Sequence, residues 1–171
     1  QLAARLPHGA HLLSPRGRVL ENGMPRFFRR LSEGVFDKAD VKFRAAELAK
    51  FIAGAAREHG LDSSKIVAVG YSNGANIAAA MMLLHPDVLS AAILFRAMPP
   101  LTPDTLPDLS ARSVLLAGGE RDQIARPDLT LSLASLLLAA GASLTFHWHK
   151  GGHELSPGDL RAAAEWLADN S

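Results

Sequence analysis

The chain contains no cysteine. That absence excludes disulfides, thiolate metal sites and a cysteine nucleophile, and it fits a reducing cytoplasm. No run of 18 apolar residues and no signal-peptide pattern appears, so no membrane span is expected. An excess of charge is missing too. Eighteen Lys and Arg against 17 Asp and Glu leave a formal net charge of +1, a balance that calls for neither nucleic acid nor an anionic membrane and leaves a small molecule as the expected partner. No internal repeat, low-complexity tract or linker divides the sequence. Apolar residues are abundant: 48% of the 171 positions are hydrophobic, enough to give residues 1–171 a sizeable core as a single domain.

The informative stretch is Gly70-Tyr71-Ser72-Asn73-Gly74. Before it runs Ile66-Val67-Ala68-Val69, short and apolar like a buried strand, and after it Ala75-Asn76-Ile77-Ala78-Ala79-Ala80-Met81-Met82-Leu83-Leu84, apolar on every side like a buried helix. Strand, tight turn and helix are the context in which G-x-S-x-G reads as a nucleophile elbow, a strained bend that lifts a serine hydroxyl above the sheet edge. Side chains at positions 70 and 74 are expected to collide with neighbouring backbone there.

The remaining elements follow in order. Gln1 to Pro7 looks like the last turns of a helix, and Ala10 to Ser14 reads as a short strand closed by Pro15 and Gly17. A long irregular loop is expected next, its turn formers, aromatics and arginines over Asn22 to Arg30 making it either a pocket wall or a solvated surface loop plugged in by two phenylalanines. From a cap at Asp37 or Asp40, Val41, Ala45, Leu48, Ile52 and Ala56 share one helical face until Gly60 stops the helix. The helix after Ser72 ends at His85-Pro86. Buried strands are predicted at Ala91 to Phe95 and Ser113 to Ala117, and another strand at Ser143 to His149. A helix lies between Pro127 and Gly141, and Ser156-Pro157-Gly158-Asp159 opens a last helix with capping-box spacing.

Strands without polar alternation, separated by helices, predict an α/β fold: a mostly parallel sheet covered by helices on both faces. Chemistry in such sheets sits at the carboxyl ends of strands. Ser72, Asp122 and His153 each follow a predicted strand end, which places all three on one edge. A serine needs a base within hydrogen-bond reach, and the base needs a group that fixes its tautomer; histidine suits the first role and a carboxylate the second. Glu120 shares the turn with Asp122, whereas Asp128 reads as a first-turn carboxylate favoured by a helix dipole. The order Ser, Asp, His matches that of α/β-hydrolases. His147, His149 and His153 invite a metal reading as well, but no cysteine supports it and His153 is needed as base, so two strand histidines packed at an edge is the better account.

These residues resemble the phospholipase/carboxylesterase family of α/β-hydrolases, bacterial serine esterases related to acyl-protein thioesterases and more distantly to dienelactone hydrolases. The resemblance spans nearly the whole sequence. It rests on Ser14-Pro15-Arg16-Gly17, Glu21-Asn22-Gly23, Arg26-Phe27-Phe28, the elbow through Asn76, Asp122 and Gly151-Gly152-His153-Glu154. It implies a soluble carboxylesterase acting on small esters through Ser72, Asp122 and His153, with neither metal nor organic cofactor, and with the backbone N–H of Asn73 as one oxyanion-hole donor. Thioesterase or lysophospholipase activity is the alternative within the family, and a non-catalytic hydrolase-like binding protein the alternative outside it. Small homodimers occur in the family. Dienelactone hydrolases usually carry cysteine where Ser72 stands, which counts against that substrate. Phe27, Phe28, Met98 and Ile124 are candidates for an apolar pocket.

Family members begin with strands and a His-Gly-rich loop that supplies the second oxyanion donor, and neither is found in this sequence. A third strand of the family fold lies between Ala10–Ser14 and Ile66–Val69. The resemblance therefore implies that residues 1–171 are the C-terminal part of a longer chain.

Overall fold

Residues 10–170 are described by a computed structural model; the helix end expected at Gln1 to Pro7 lies outside them. The chain first makes two small antiparallel hairpins, β1 (Val19–Glu21) with β2 (Met24–Arg26) and β3 (Arg30–Ser32) with β4 (Val35–Phe36). Helix α1 (Lys38–Glu58) follows, then a 3-10 turn at Ser63–Lys65. The rest alternates: β5 (Val67–Tyr71), α2 (Asn73–Leu84), β6 (Ala91–Phe95), β7 (Ser113–Gly119), α3 (Pro127–Ala139), β8 (Ser143–His149) and α4 (Pro157–Asp169). Strands β5 to β8 form one parallel sheet in sequential order, with Tyr71, Phe95, Ala117 and His147 on one register line.

Both faces of this sheet are covered, unequally. Ala92 and Leu94 of β6 and Val114 and Leu116 of β7 point into the larger core, which takes Val41 and Ala45 of α1, Ile77 and Met81 of α2, and Leu133 and Leu137 of α3. The alternate residues Ile93, Phe95, Leu115 and Ala117 face α4 through Ala163, Trp166 and Leu167. Burial on both sides is why these strands read as continuous apolar runs. The helix boundaries follow their caps. Asp37 accepts from the Asp40 N–H at the start of α1, and Ser156 and Asp159 complete a capping box at the start of α4.

Two expectations at the front are corrected. Ala10 to Ser14 is not a strand; it is irregular, with Leu12 and Leu13 exposed, because a strand needs a neighbour for its backbone groups and the register places none beside it among the described residues. The segment expected to be an irregular loop is instead the two hairpins. Asn22 (φ 51°) and Gly23 (φ 78°) both take the left-handed backbone that a tight two-residue hairpin turn requires.

Candidate active site

The elbow forms at the end of β5. Ser72 has φ 53° and ψ −116°, a backbone region that non-glycine residues occupy at a cost of about 1–3 kcal/mol unless their surroundings hold them there. The surroundings do so: the Ser72 N–H donates to Phe95 O at 2.9 Å, and the Ser72 carbonyl accepts from Asn76 N–H at 2.9 Å in the first turn of α2. Gly70 is obligatory, since a Cβ there would stand 2.5 Å from backbone atoms of Gly74 and Ala75. The matching expectation for Gly74 is corrected. A Cβ at Gly74 would meet only the Phe27 ring at 3.7 Å, an ordinary contact, because its Cβ direction leads away from the bend.

Asp122 lies in the turn after β7, almost wholly buried. Its Oδ1 accepts from the N–H groups of Ile124 (2.8 Å) and Ala125 (2.9 Å), which fixes the plane of the carboxylate. Oδ2 is left for His153, whose Nδ1 stands 2.8 Å away, while Nε2 is 2.9 Å from Ser72 Oγ. An ionised carboxylate can only accept, so the neutral ring carries its proton on Nδ1 and accepts from the serine hydroxyl at Nε2. The three residues singled out in the sequence thus form one continuous hydrogen-bonded chain. The competing carboxylates lie elsewhere: Asp128 pairs with Arg126 on the surface, and Glu120 is exposed.

A cleft of about 130 Å³ opens over Ser72 and His153. Asn73, Asn76, Met98, Ile124, Arg26, Arg30 and Phe36 contribute to its walls. A larger, shallower depression of about 370 Å³ along α1 is lined by Glu47, Lys50, Phe51 and their neighbours and contains neither serine nor histidine. Of the expected pocket residues, Met98 and Ile124 are in place. Phe28 is corrected: it is fully buried in the larger core, edge to face with Phe36 at 5.1 Å. Phe27 is not a cleft wall either. It packs against that same core, and its N–H donates to Asn73 Oδ1 at 2.7 Å, tying the hairpins to the elbow.

Arg26 and Arg30 follow the pocket-wall alternative for their segment, but several pairings around the cleft were not anticipated. Glu21 faces two arginines, with Oε1 2.7 Å from Arg30 Nε and Oε2 3.1 Å from Arg26 Nε. The hydrogen bond from Arg30, outweighing a small burial effect, holds the Glu21 carboxyl below the ordinary glutamate range, and burial beside Arg30 pushes Arg26 down against the attraction of Glu21. Behind His153, Tyr71 hydroxyl donates to His153 O at 3.0 Å, and burial near Asp122 and Glu154 raises that phenol despite the cation of Arg96. Arg96 and Asp159 form an ion pair at 2.8 Å with both side chains wholly buried. His147 Nε2 lies 3.5 Å from Asp159 Oδ1; no cluster able to hold a metal ion occurs among the described residues.

The profile of the dienelactone hydrolase family matches residues 25–155. The chain is 46% identical to MhqD of Bacillus subtilis (strain 168), whose name carries the word hydrolase, over 94% of this chain and 80% of that protein. The crystal structure of a Bacillus cereus carboxylesterase superposes with a TM-score of 0.96 at 44% identity, covering 99% of this chain and 80% of the other. That of a Mesorhizobium loti carboxylesterase superposes with a TM-score of 0.90 at 33% identity, covering 98% and 79%. The likeness to α/β-hydrolase esterases drawn from the sequence holds, and the matching family is the one it placed further off.

Proposed function

Because the chain belongs to the dienelactone hydrolase family and is a hydrolase, we propose that it is a serine carboxylesterase for small esters. The carrying observation is the unbroken chain from Asp122 Oδ2 through the His153 ring to Ser72 Oγ at the floor of the cleft. Ser72 Oγ attacks the ester carbonyl carbon as His153 Nε2 takes its proton, and Asp122 stabilises the imidazolium that results. The oxyanion meets the amino end of α2, where the backbone N–H of Asn73 belongs to the unspent first turn and the helix dipole favours negative charge. Collapse expels the alcohol with the proton from His153. Water, deprotonated by the same ring, then releases the acid from the acyl-serine.

The small volume of the cleft supports short acyl groups over the long chains of a lysophospholipase. The test is turnover of p-nitrophenyl acetate and butyrate by the parent and by Ser72→Ala. Turnover lost by roughly 10⁴-fold or more on substitution supports the reading; a Ser72→Ala variant as active as the parent overturns it. An acetyl thioester assayed beside the oxygen ester separates the thioesterase alternative: a faster thioester would move the assignment there.

A further inference from the structure

Arg96 stands directly after β6 at φ 54°, a conformation that non-glycine residues seldom adopt. Its N–H donates to Ala117 O at 2.8 Å, so the residue is locked to the end of β7. Its side chain is wholly buried, and all five guanidinium donors are accounted for. Nη1 reaches Asp159 Oδ1 (3.1 Å) and Ala117 O (3.3 Å), and Nη2 reaches Asp159 Oδ2 (2.8 Å) and Glu154 O (2.8 Å). Nε donates to Gly152 O at 3.1 Å. Gly152 and Glu154 are the residues on either side of His153, whose own carbonyl is taken by the Tyr71 hydroxyl. Three consecutive carbonyls of the histidine loop are thereby fastened, two of them by one side chain.

Stability alone is a poor reason for this arrangement. A buried ion pair is often no better than apolar residues of the same volume, and Asp159 already has work at the start of α4, where it accepts from the Ser156 N–H and hydroxyl. What an apolar replacement could not do is hold the peptides before and after His153 at a fixed distance from the elbow. We infer that Arg96 is a positioning residue for the hydrolytic reaction: it sets the reach of His153 between Asp122 and Ser72 by clamping the carbonyls of Gly152 and Glu154. The inference rests on the serine-esterase reading for its kinetic consequence and on geometry alone for its structural one.

The test compares the parent, Asp159→Asn and the double variant Arg96→Gln/Asp159→Asn, in which no buried charge is left unpaired. Kinetics use p-nitrophenyl acetate, with kcat expressed per site titrated by a fluorophosphonate so that misfolded protein does not count. A proton spectrum at low field follows the His153 Nδ1–H shared with Asp122, which is visible whether or not ester is turned over. The expected result is that Asp159→Asn keeps kcat within threefold of the parent, whereas the double variant loses roughly 10- to 100-fold in kcat with KM little changed, and its low-field proton broadens or disappears. Arg96→Lys, which retains a cation for Asp159 but cannot bracket two carbonyls, is expected to fail in the same way and serves if the double variant does not fold. A double variant or Arg96→Lys with parental kcat and an intact low-field proton overturns the inference, as does Asp159→Asn falling as far as the double variant, since the effect would then pass through the α4 cap. A parent with no Ser72-dependent turnover would sink the esterase reading, and the proton spectra would still decide the role of Arg96.

Discussion

Arginine meets carboxylate in two places around the cleft, and the two are built on opposite principles. Behind His153, Arg96 and Asp159 are both fully buried, every guanidinium donor is assigned, and the partners tie β7 and α4 to the histidine loop between β8 and α4. At the front, Glu21 is shared between Arg26 and Arg30 on hairpins of two or three residues per strand, all three side chains 21–33% exposed. Arg26 Nε approaches Glu21 without hydrogen-bond alignment. The buried pair specifies a geometry; the exposed trio is screened by water and adds little to folding. The catalytic edge should therefore tolerate almost no change in its polar groups, and the hairpins should tolerate most changes except at their one buried anchor.

The largest effect falls on the edge itself. Asp122→Asn should keep the fold and lower kcat for p-nitrophenyl acetate by about 10⁴-fold, since the amide favours the wrong imidazole tautomer; a loss below tenfold in steady-state kinetics would remove Asp122 from the proposed triad. Next comes the anchor of the front region. Phe28→Ala should cost about 3–5 kcal/mol in urea unfolding while kcat per titrated site stays within a few-fold, and a loss of kcat equal to that of the edge variants would break the contrast. Gly70→Ala should destabilise by about 1–3 kcal/mol or more because its new methyl meets backbone, whereas Gly74→Ala should be nearly silent; the paired melting curves sharpen the account of the elbow.

Acid should find the buried pair. Burial alone would raise the Asp159 carboxyl, but hydrogen bonds from Arg96 and Ser156 and the guanidinium charge outweigh it and hold the group below the ordinary value of 3.8. A depressed folded value means that the stabilisation is fully present above the unfolded value and is lost as pH falls through the folded one. The melting-temperature gap between parent and Asp159→Asn should accordingly be flat above about pH 5 and close below about pH 4. The smallest effect is at the front: Glu21→Gln should leave the melting temperature and short-ester kcat essentially unchanged. A drop in melting temperature comparable to that of Asp159→Asn, or a loss of kcat comparable to that of the Arg96→Gln/Asp159→Asn double variant, would show the exposed trio to be as specific as the buried pair.

The same contrast governed what could be read from sequence. β6 and β7 were legible because both faces are buried, which writes each strand as an apolar block; the more exposed β5 and β8 were legible from their short β-branched and aromatic runs, and Ser72, Asp122 and His153 were legible because each stands just past the end of a strand. Asp122 could be chosen over Asp128 by its place in a turn instead of a helix start. The hairpins escaped notice because two- and three-residue strands have no periodicity to detect, although Asn22-Gly23 was a readable turn signal. Arg96 escaped for a different reason. In sequence it looks like a charged loop residue, and its partners Gly152, Glu154 and Asp159 lie 56, 58 and 63 positions away, so only the folded sheet reveals that the cation is buried and why. Phe27 and Phe28 were visible as aromatics, but no pattern said which way they point.

The register line through Tyr71, Phe95, Ala117 and His147 also divides the molecule by its tolerance of length. One residue inserted within β5, β7 or β8 would shift everything downstream by about 3.3 Å and turn each following side chain to the other face, moving Ser72, Asp122 or His153 out of reach of the other two. The connections at the opposite edge, such as the exposed stretch from His59 to Lys65 between α1 and β5, carry none of these residues and can absorb extra chain at small entropic cost. Whole segments can be grafted onto that amino edge, while variation at the carboxyl edge has to proceed by exchanging one side chain for another at constant length.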